Sequence, residues 1–366
     1  MPIPRSRALS VTAAALSAAL LASCGSAGGD EGDSRTLMFA YVTSENSPHG
    51  QALSWWLDEV EERTDGELTF ERYWDATLLK PDEMVQGLAD GRVDIAQIQP
   101  TSYGASEFVA TSVAEVPFIS SNFSAVSAAL ASLTEDEDGA IAREWSDKGM
   151  VPLSWQITAG GTLTTTEPVD GVDDFAGLRL RSIGRPAQVL AAAEANPIQL
   201  AAADIYGSID RGLIDGVFGV PFSFAESFKF PEVAPYYTGT GTGVSTANAL
   251  ALSRDGWDSL TEEQRTVMLE VSAEMPAKQA EIEPTFNDAS CAAIKEAGGR
   301  TSVLPDAEMA ALADLAGAET EAGWIADAEK EDVDAEALIA DYREAVAAAE
   351  EQFPDFELPE ATCAAQ

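Results

Sequence analysis

Apolar positions recur along this chain with two periods, and their alternation sets the expected order of elements. Thr36-Leu-Met-Phe-Ala-Tyr-Val-Thr43 reads as a buried strand. Ser44-Glu-Asn-Ser-Pro-His-Gly50 breaks it and offers a helix cap, after which Leu53, Trp56, Leu57 and Val60 recur at helical spacing to Arg63. Asp65-Gly66 is a turn, and from Glu67 to Tyr73 the apolar Leu68 and Phe70 alternate with Thr69 and Glu71, as in a strand. Asp82 to Asp90 predicts a short helix ended by Gly91, and Val93 to Ile98 a third strand. This β-α-β-α-β order predicts an α/β domain with a largely parallel sheet.

The pattern continues through a strand at Gly149 to Trp155 and a Gly/Thr-rich stretch, Ile157 to Thr166, suited to a crossing between lobes. Asp173 to Gly177 reads as a turn, Leu178 to Ser182 as a strand, Pro186 to Glu194 as a helix and Pro197 to Leu200 as a further strand. Residues 233–252 are extended, and the chain beyond Ser253 is mainly helical to Phe353, with acidic faces suited to solvent. Gly87-Leu-Ala-Asp-Gly-Arg-Val-Asp-Ile-Ala96 is echoed by Gly207-Ser-Ile-Asp-Arg-Gly-Leu-Ile-Asp-Gly216, as two related lobes would require. The expected division is 36–158 plus 247–286 for lobe I, and 159–246 plus 287–366, with the C-terminal helices, for lobe II.

The start of the chain follows neither period. Arg5 and Arg7 precede an apolar run from Ala8 to Ala22, shorter than the roughly 20 residues a spanning helix needs and shaped like the core of a secretory leader. Leu21-Ala22-Ser23-Cys24 resembles a bacterial lipobox. The expectation is a leader over 1–23, a lipid on Cys24, and a flexible tether over 24–35. The chain is then exported and anchored at the outer face of the cytoplasmic membrane, where the remaining cysteines, Cys291 and Cys363, are expected to pair.

Charge narrows the partners. The 366 residues carry 62 acids against 21 lysines and arginines, a formal net charge of −41, which argues against nucleic acid and against docking on anionic lipid. His49 is the single histidine, and no HExxH, CxxC or GxxxxGK[ST] motif occurs, so metal, redox and ATP chemistry find no anchor and no cofactor is expected. Enzyme readings therefore find little support, an exported glycosidase built on paired carboxylates being the remote alternative, and a monomer is expected.

Against this background three arginines fall within seven positions, Arg179 to Arg185. Strand alternation turns Leu178 and Leu180 inward and Arg179 and Arg181 the other way, with Arg181 at the carboxyl end, before Gly184. Ligands of open α/β sheets bind beyond such ends, and a guanidinium fork there suits a carboxylate. Spacing alone leaves open whether that carboxylate belongs to a ligand or to the protein. Tyr73, Trp74, Gln97, Tyr206, Glu45 and His49 are further candidates, each placed by the pattern near a strand end or a helix start and each equally compatible with packing or a surface role.

Several stretches taken together, in their shared order, resemble the solute-binding proteins of TRAP transporters, the DctP-like family. They are Ser47-Pro-His-Gly50, Glu61-Glu-Arg-Thr-Asp-Gly66, Gly91-Arg-Val-Asp-Ile-Ala96, Val116-Pro-Phe118, Leu163-Thr-Thr165, Asp174-Phe-Ala-Gly-Leu-Arg-Leu-Arg181, Ala195-Asn-Pro197, Asp204-Ile-Tyr206, Gly212-Leu-Ile-Asp-Gly216 and Phe228-Lys-Phe-Pro-Glu-Val233. The resemblance implies a type II periplasmic-binding-protein-like fold of two lobes, each a mixed, mostly parallel sheet flanked by helices, with a helical C-terminal region. It implies capture of a small organic anion between the lobes and delivery to a permease driven by an ion gradient, with Arg181 gripping the ligand carboxylate. A ligand-sensing lipoprotein feeding a signalling partner is the alternative. Two departures bear on the ligand. Gly160-Gly161-Thr162 stands where many relatives carry a second Arg, and Val217-Phe-Gly-Val220 where many carry an Asn. The loss of polar groups, with Phe218 and Phe222 nearby, points to an apolar ligand body. Arg185 as a second cation would instead admit a dicarboxylate.

Overall fold

The computed structural model describes residues 34–103 and 106–366; the leader, Cys24 and nearly all of the tether lie outside them. The strands are β1 (Arg35–Ala40), β2 (Leu68–Tyr73), β3 (Ile95–Ile98), β4 (Met150–Ala159), β5 (Thr162–Thr165), β6 (Arg179–Arg181), β7 (Asn196–Ile198), β8 (Gly216–Phe218), β9 (Tyr236–Gly239), β10 (Val244–Ser253) and β11 (Arg300–Val303). The helices are α1 (Pro48–Arg63), α2 (Met84–Ala89), α3 (Phe123–Glu135), α4 (Ala140–Asp147), α5 (Pro186–Ala192), α6 (Ile205–Asp210), α7 (Arg254–Asp258), α8 (Glu262–Glu296), α9 (Asp306–Lys330), α10 (Ala335–Glu350) and α11 (Pro359–Ala365). No helix among the described residues is long and apolar enough to cross a membrane.

Two sheets organise two lobes. Lobe I has the order β2-β1-β3-β10-β4 and lobe II the order β11-β9-β5-β8-β6-β7. In lobe I, β1 pairs in parallel with β2 and β3, while β10 runs antiparallel to β3 and β4. In lobe II, β6 is parallel to β7 and β8, and β5 is antiparallel to β8 and β9. The apolar period explains the packing: Leu53, Trp56, Leu57 and Val60 of α1 are all fully buried against one face of the lobe I sheet. Ser47 caps that helix through its hydroxyl, which accepts from Gly50 N at 3.0 Å.

The lobes are joined where β4 passes into β5 and where β9 returns into β10. These crossings bond to one another: Gly160 N donates to Gly243 O at 2.8 Å, and Thr240 N to Gly161 O at 2.8 Å. Glycine is required here because a Cβ on Gly160 would lie 2.5 Å from Ser245 N, and Gly243 adopts φ +101°. A third connection is α8, whose 35 residues span about 52 Å at the usual rise per residue. Its Met268, Val271 and Met275 pack in lobe I, and its Cys291 and Ile294 in lobe II.

The C-terminal region departs from the expected division, which gave all of 287–366 to lobe II. Leu312 and Ala316 of α9 do pack there, but Trp324 and Ala328 of the same helix join the lobe I core, with Leu338, Ile339, Tyr342 and Val346 of α10. Trp324 Nε1 donates to Val109 O at 3.0 Å, fixing the helix to lobe I. The chain then returns to lobe II, where Cys291 and Cys363 form a disulfide with Cα atoms 5.6 Å apart, holding α11 beside β11 and β9.

Candidate ligand-binding site

The registers place the key side chains at the crossing ends of both sheets. Arg181 pairs with Val217, one residue before Phe218, which pairs with Leu163 just inside β5. Gln97 pairs with Leu250 and Ile98 with Ala249, toward the start of β10 at the other crossing. Arg181 is the last residue of β6 and Gln97 the last but one of β3, the carboxyl ends at which open α/β sheets bind ligands.

The three arginines take three different environments. Arg179 is 44% exposed and clasps Asp215, with Nε 3.0 Å from Oδ2 and Nη2 2.5 Å from Oδ1, and so ties β6 to the entry of β8. Arg185 is buried at the start of α5, with Nη2 3.5 Å from Asp327 Oδ2 on α9. It also faces Glu115 of lobe I, so this cluster links both lobes and α9. Burial pushes the Glu115 carboxyl up to about 7, against the pull of Arg185. Arg181 is only 7% exposed, and its Nε donates to Leu200 O at 3.1 Å. No carboxylate pairs with it among the described residues, and burial holds its pKa below the ordinary arginine value with nothing to offset it.

An uncompensated buried cation costs several kcal/mol even after relaxation. In a protein with 62 acids, a guanidinium left without one is positioned for an anion from outside. The lobe I loop approaches this end of β6: a Cβ on Gly184 would lie 3.8 Å from Thr101 Cγ2 and 3.7 Å from Glu115 Oε2. Ser182 Oγ, beside Arg181 in the chain, is buried with no hydrogen-bond partner, and both amide atoms of Gln97 are likewise unpaired. Gln97 stands beside the buried Tyr41 hydroxyl, whose pKa burial raises to about 12.

The other expected residues divide. Trp74 is half-buried and meets Phe39 and Tyr41 edge-on, at ring centroid distances of 5.0 and 5.9 Å, so it forms an aromatic shelf at the end of β2. Tyr73 instead donates to Glu71 Oε1 at 2.6 Å, on the same face of the edge strand. Tyr206 donates to Glu232 Oε2 at 2.8 Å on the surface of lobe II. Glu45 is exposed and accepts from Ser54 Oγ at 2.8 Å. His49 is buried, with Nε2 3.3 Å from Ile157 O and its ring edge-on to Phe224 at 6.0 Å. Burial lowers its pKa to about 4, so it is a neutral packing residue. Phe218 is corrected: it is 1% exposed and packs in the core with Leu163 and Leu180, while Phe222, edge-on to Tyr237, lines a separate cavity beside α8. Both faces of the lobe II sheet are covered, so strand alternation could not say which side meets the cleft.

Glu115 and Asp327 were missed. Glu115 did carry a signal, an acid inside the apolar run Val113-Ala-Glu-Val-Pro-Phe118. Asp327 carried none, lying on an acidic helix like many others.

Comparison with known proteins now adds the family. Residues 39–322 match the model of the bacterial extracellular solute-binding proteins, family 7, DctP. The chain belongs to that family. A solute-binding protein of Albidiferax ferrireducens is 28% identical over 261 residues, covering 70% of this chain and 76% of that one. A TRAP periplasmic solute-binding protein from Desulfovibrio salexigens superposes with a TM-score of 0.78 at 23% identity, covering 89% of this chain and 98% of that one. A TRAP solute-binding protein from Rhodoferax ferrireducens, in complex with copurified benzoate, gives 0.76 at 22% identity, covering 87% and 100%. The two-lobe fold is thus that of TRAP solute-binding proteins. In this family 7 protein a cavity of about 470 Å³ lies away from Arg181, between the crossings, α8 and the C-terminal tail.

Proposed function

We propose that this protein captures a small organic monocarboxylate with an apolar, ring-sized body between its lobes and delivers it to a TRAP permease. The single observation that carries this reading is the buried guanidinium of Arg181, which has no carboxylate partner among the described residues. Arg185 does not serve as a second ligand cation, because Glu115 and Asp327 already face it; the buried Arg181 guanidinium suits a single carboxylate. Trp74 supplies an aromatic surface backed by the buried Tyr41, and Gln97 and Ser182 supply buried hydrogen-bonding atoms for a ring substituent. The benzoate held by the Rhodoferax relative is consistent with this class. Contacts made from both lobes favour the closed state over the open one. Lipidation of Cys24 would keep the protein beside the permease.

Thermal-shift screening of the chain carrying Cys24→Ser, against benzoate, 3-hydroxybenzoate, succinate and glucuronate, tests the reading. A ligand at a hundredfold excess over Kd stabilises by about 2.7 kcal/mol. The expected result is a shift with the ring monocarboxylates that Arg181→Met abolishes. A shift fully retained in Arg181→Met removes the arginine from the site; a shift with succinate or glucuronate alone overturns the apolar-body assignment.

A further inference from the structure

The 470 Å³ cavity has the size of a small-molecule site and shares neither Arg181, Gln97 nor Trp74 with the cleft. Its apolar wall includes Phe123 and Ile157 from lobe I, Phe222 from lobe II and Phe356 from the tail. Its polar wall is unusual. Glu360 is 1% exposed, and its Oε1 accepts from Thr162 Oγ1 at 2.6 Å. Glu283, at the middle of α8, has no cationic partner among the described residues, and burial pushes its carboxyl up to about 7. The Ser223 hydroxyl is 4% exposed and lies close enough to that carboxyl to favour its charged form, yet no hydrogen bond of good geometry joins the two. Among the described residues, acids line this cavity and no Lys, Arg or His does.

A buried hydroxyl with no partner normally signals a missing one. Here the missing partner must fit three conditions at once: it donates hydrogen bonds, it neutralises a carboxylate, and it carries an apolar body. An anion fails the second condition and a hydrated inorganic cation fails the third. We propose that this cavity is a second ligand site, taking a small primary ammonium ion with an aromatic or branched aliphatic body, its ammonium group held by Glu283 and Ser223.

Titration calorimetry with benzylammonium and isopentylammonium chloride, on the chain carrying Cys24→Ser, tests this. At least one of them is expected to bind once per chain at pH 8, and about tenfold more weakly at pH 6, where Glu283 holds a proton. Glu283→Gln should weaken binding at least tenfold. Ala280→Phe, on the same helix, fills the cavity and provides a second variant should Glu283→Gln disturb α8; it should abolish binding. Arg181→Met should leave ammonium binding intact while removing carboxylate binding, so the two sites fail separately. Absence of binding by both ammonium ions at 10 mM (a concentration set by the test), binding indifferent to both cavity variants, or binding lost in Arg181→Met would each overturn the proposal.

Discussion

Arg181 and Arg185 are four positions apart, equally buried, and opposite in what surrounds them. Arg185 meets Glu115 from one lobe and Asp327 from α9; among the described residues Arg181 meets a backbone carbonyl and no acid. The first is a completed structural cluster that holds elements together. The second leaves its charge unanswered, a state that folding tolerates only where something else repays it. Burial alone therefore does not separate the two arginines; the absence of a counter-charge among the described residues does.

The largest effect that sharpens this contrast is expected at Arg185. Arg185→Met leaves the buried Glu115 without its cation, while Asp327 keeps Lys330 at 3.1 Å, and should destabilise the protein by about 3 kcal/mol at pH 8, read from denaturant unfolding. The loss should be smaller at pH 6, where Glu115 takes up a proton. A loss below about 1 kcal/mol at pH 8 would put Arg185 in the same class as Arg181 and break the comparison.

A smaller effect is expected at Trp74. If the ligand ring rests on its face, Trp74→Ala should weaken binding of the ring acid roughly tenfold, about 1.4 kcal/mol by calorimetry, with little change for an acid lacking a ring. Equal losses for both acids would remove the shelf from the ligand's surroundings.

The smallest concerns pH. The folded-state Glu115 carboxyl lies near 7, above its ordinary value of 4.5, so the folded state binds more protons between the two. That contribution is complete below the unfolded pKa and is lost as pH rises through 7; it amounts to about 1 kcal/mol between pH 6 and pH 8. Glu115→Gln should flatten the fall in unfolding midpoint over that window by this amount. An unchanged slope would show that Glu115 is ionised throughout and fully paired with Arg185.

Much of the architecture was legible because the strands from Thr36, Glu67 and Val93 alternate with an amphipathic helix whose apolar positions all face one sheet. Arg181 was legible for the same reason: alternation and a following Gly184 put it at a strand end. What failed were questions of partner rather than period. Phe218 reads as available because a pattern reveals an apolar residue, not which covered face receives it. The C-terminal helices show an apolar stripe, yet nothing in a stripe says that Leu312 will choose one lobe and Trp324 the other. Glu115 pairs with a residue seventy positions away, a contact that no local pattern encodes.

The central claim is that the charge of Arg181 is uncompensated until a ligand arrives. The most direct test is the unfolding free energy of Arg181→Met without ligand. We predict a stability equal to or above that of the wild type, because a buried charge with no partner is removed and an apolar side chain takes its volume. A loss of about 3 kcal/mol or more would mean that an acid of the protein itself answers Arg181, and would contradict the account.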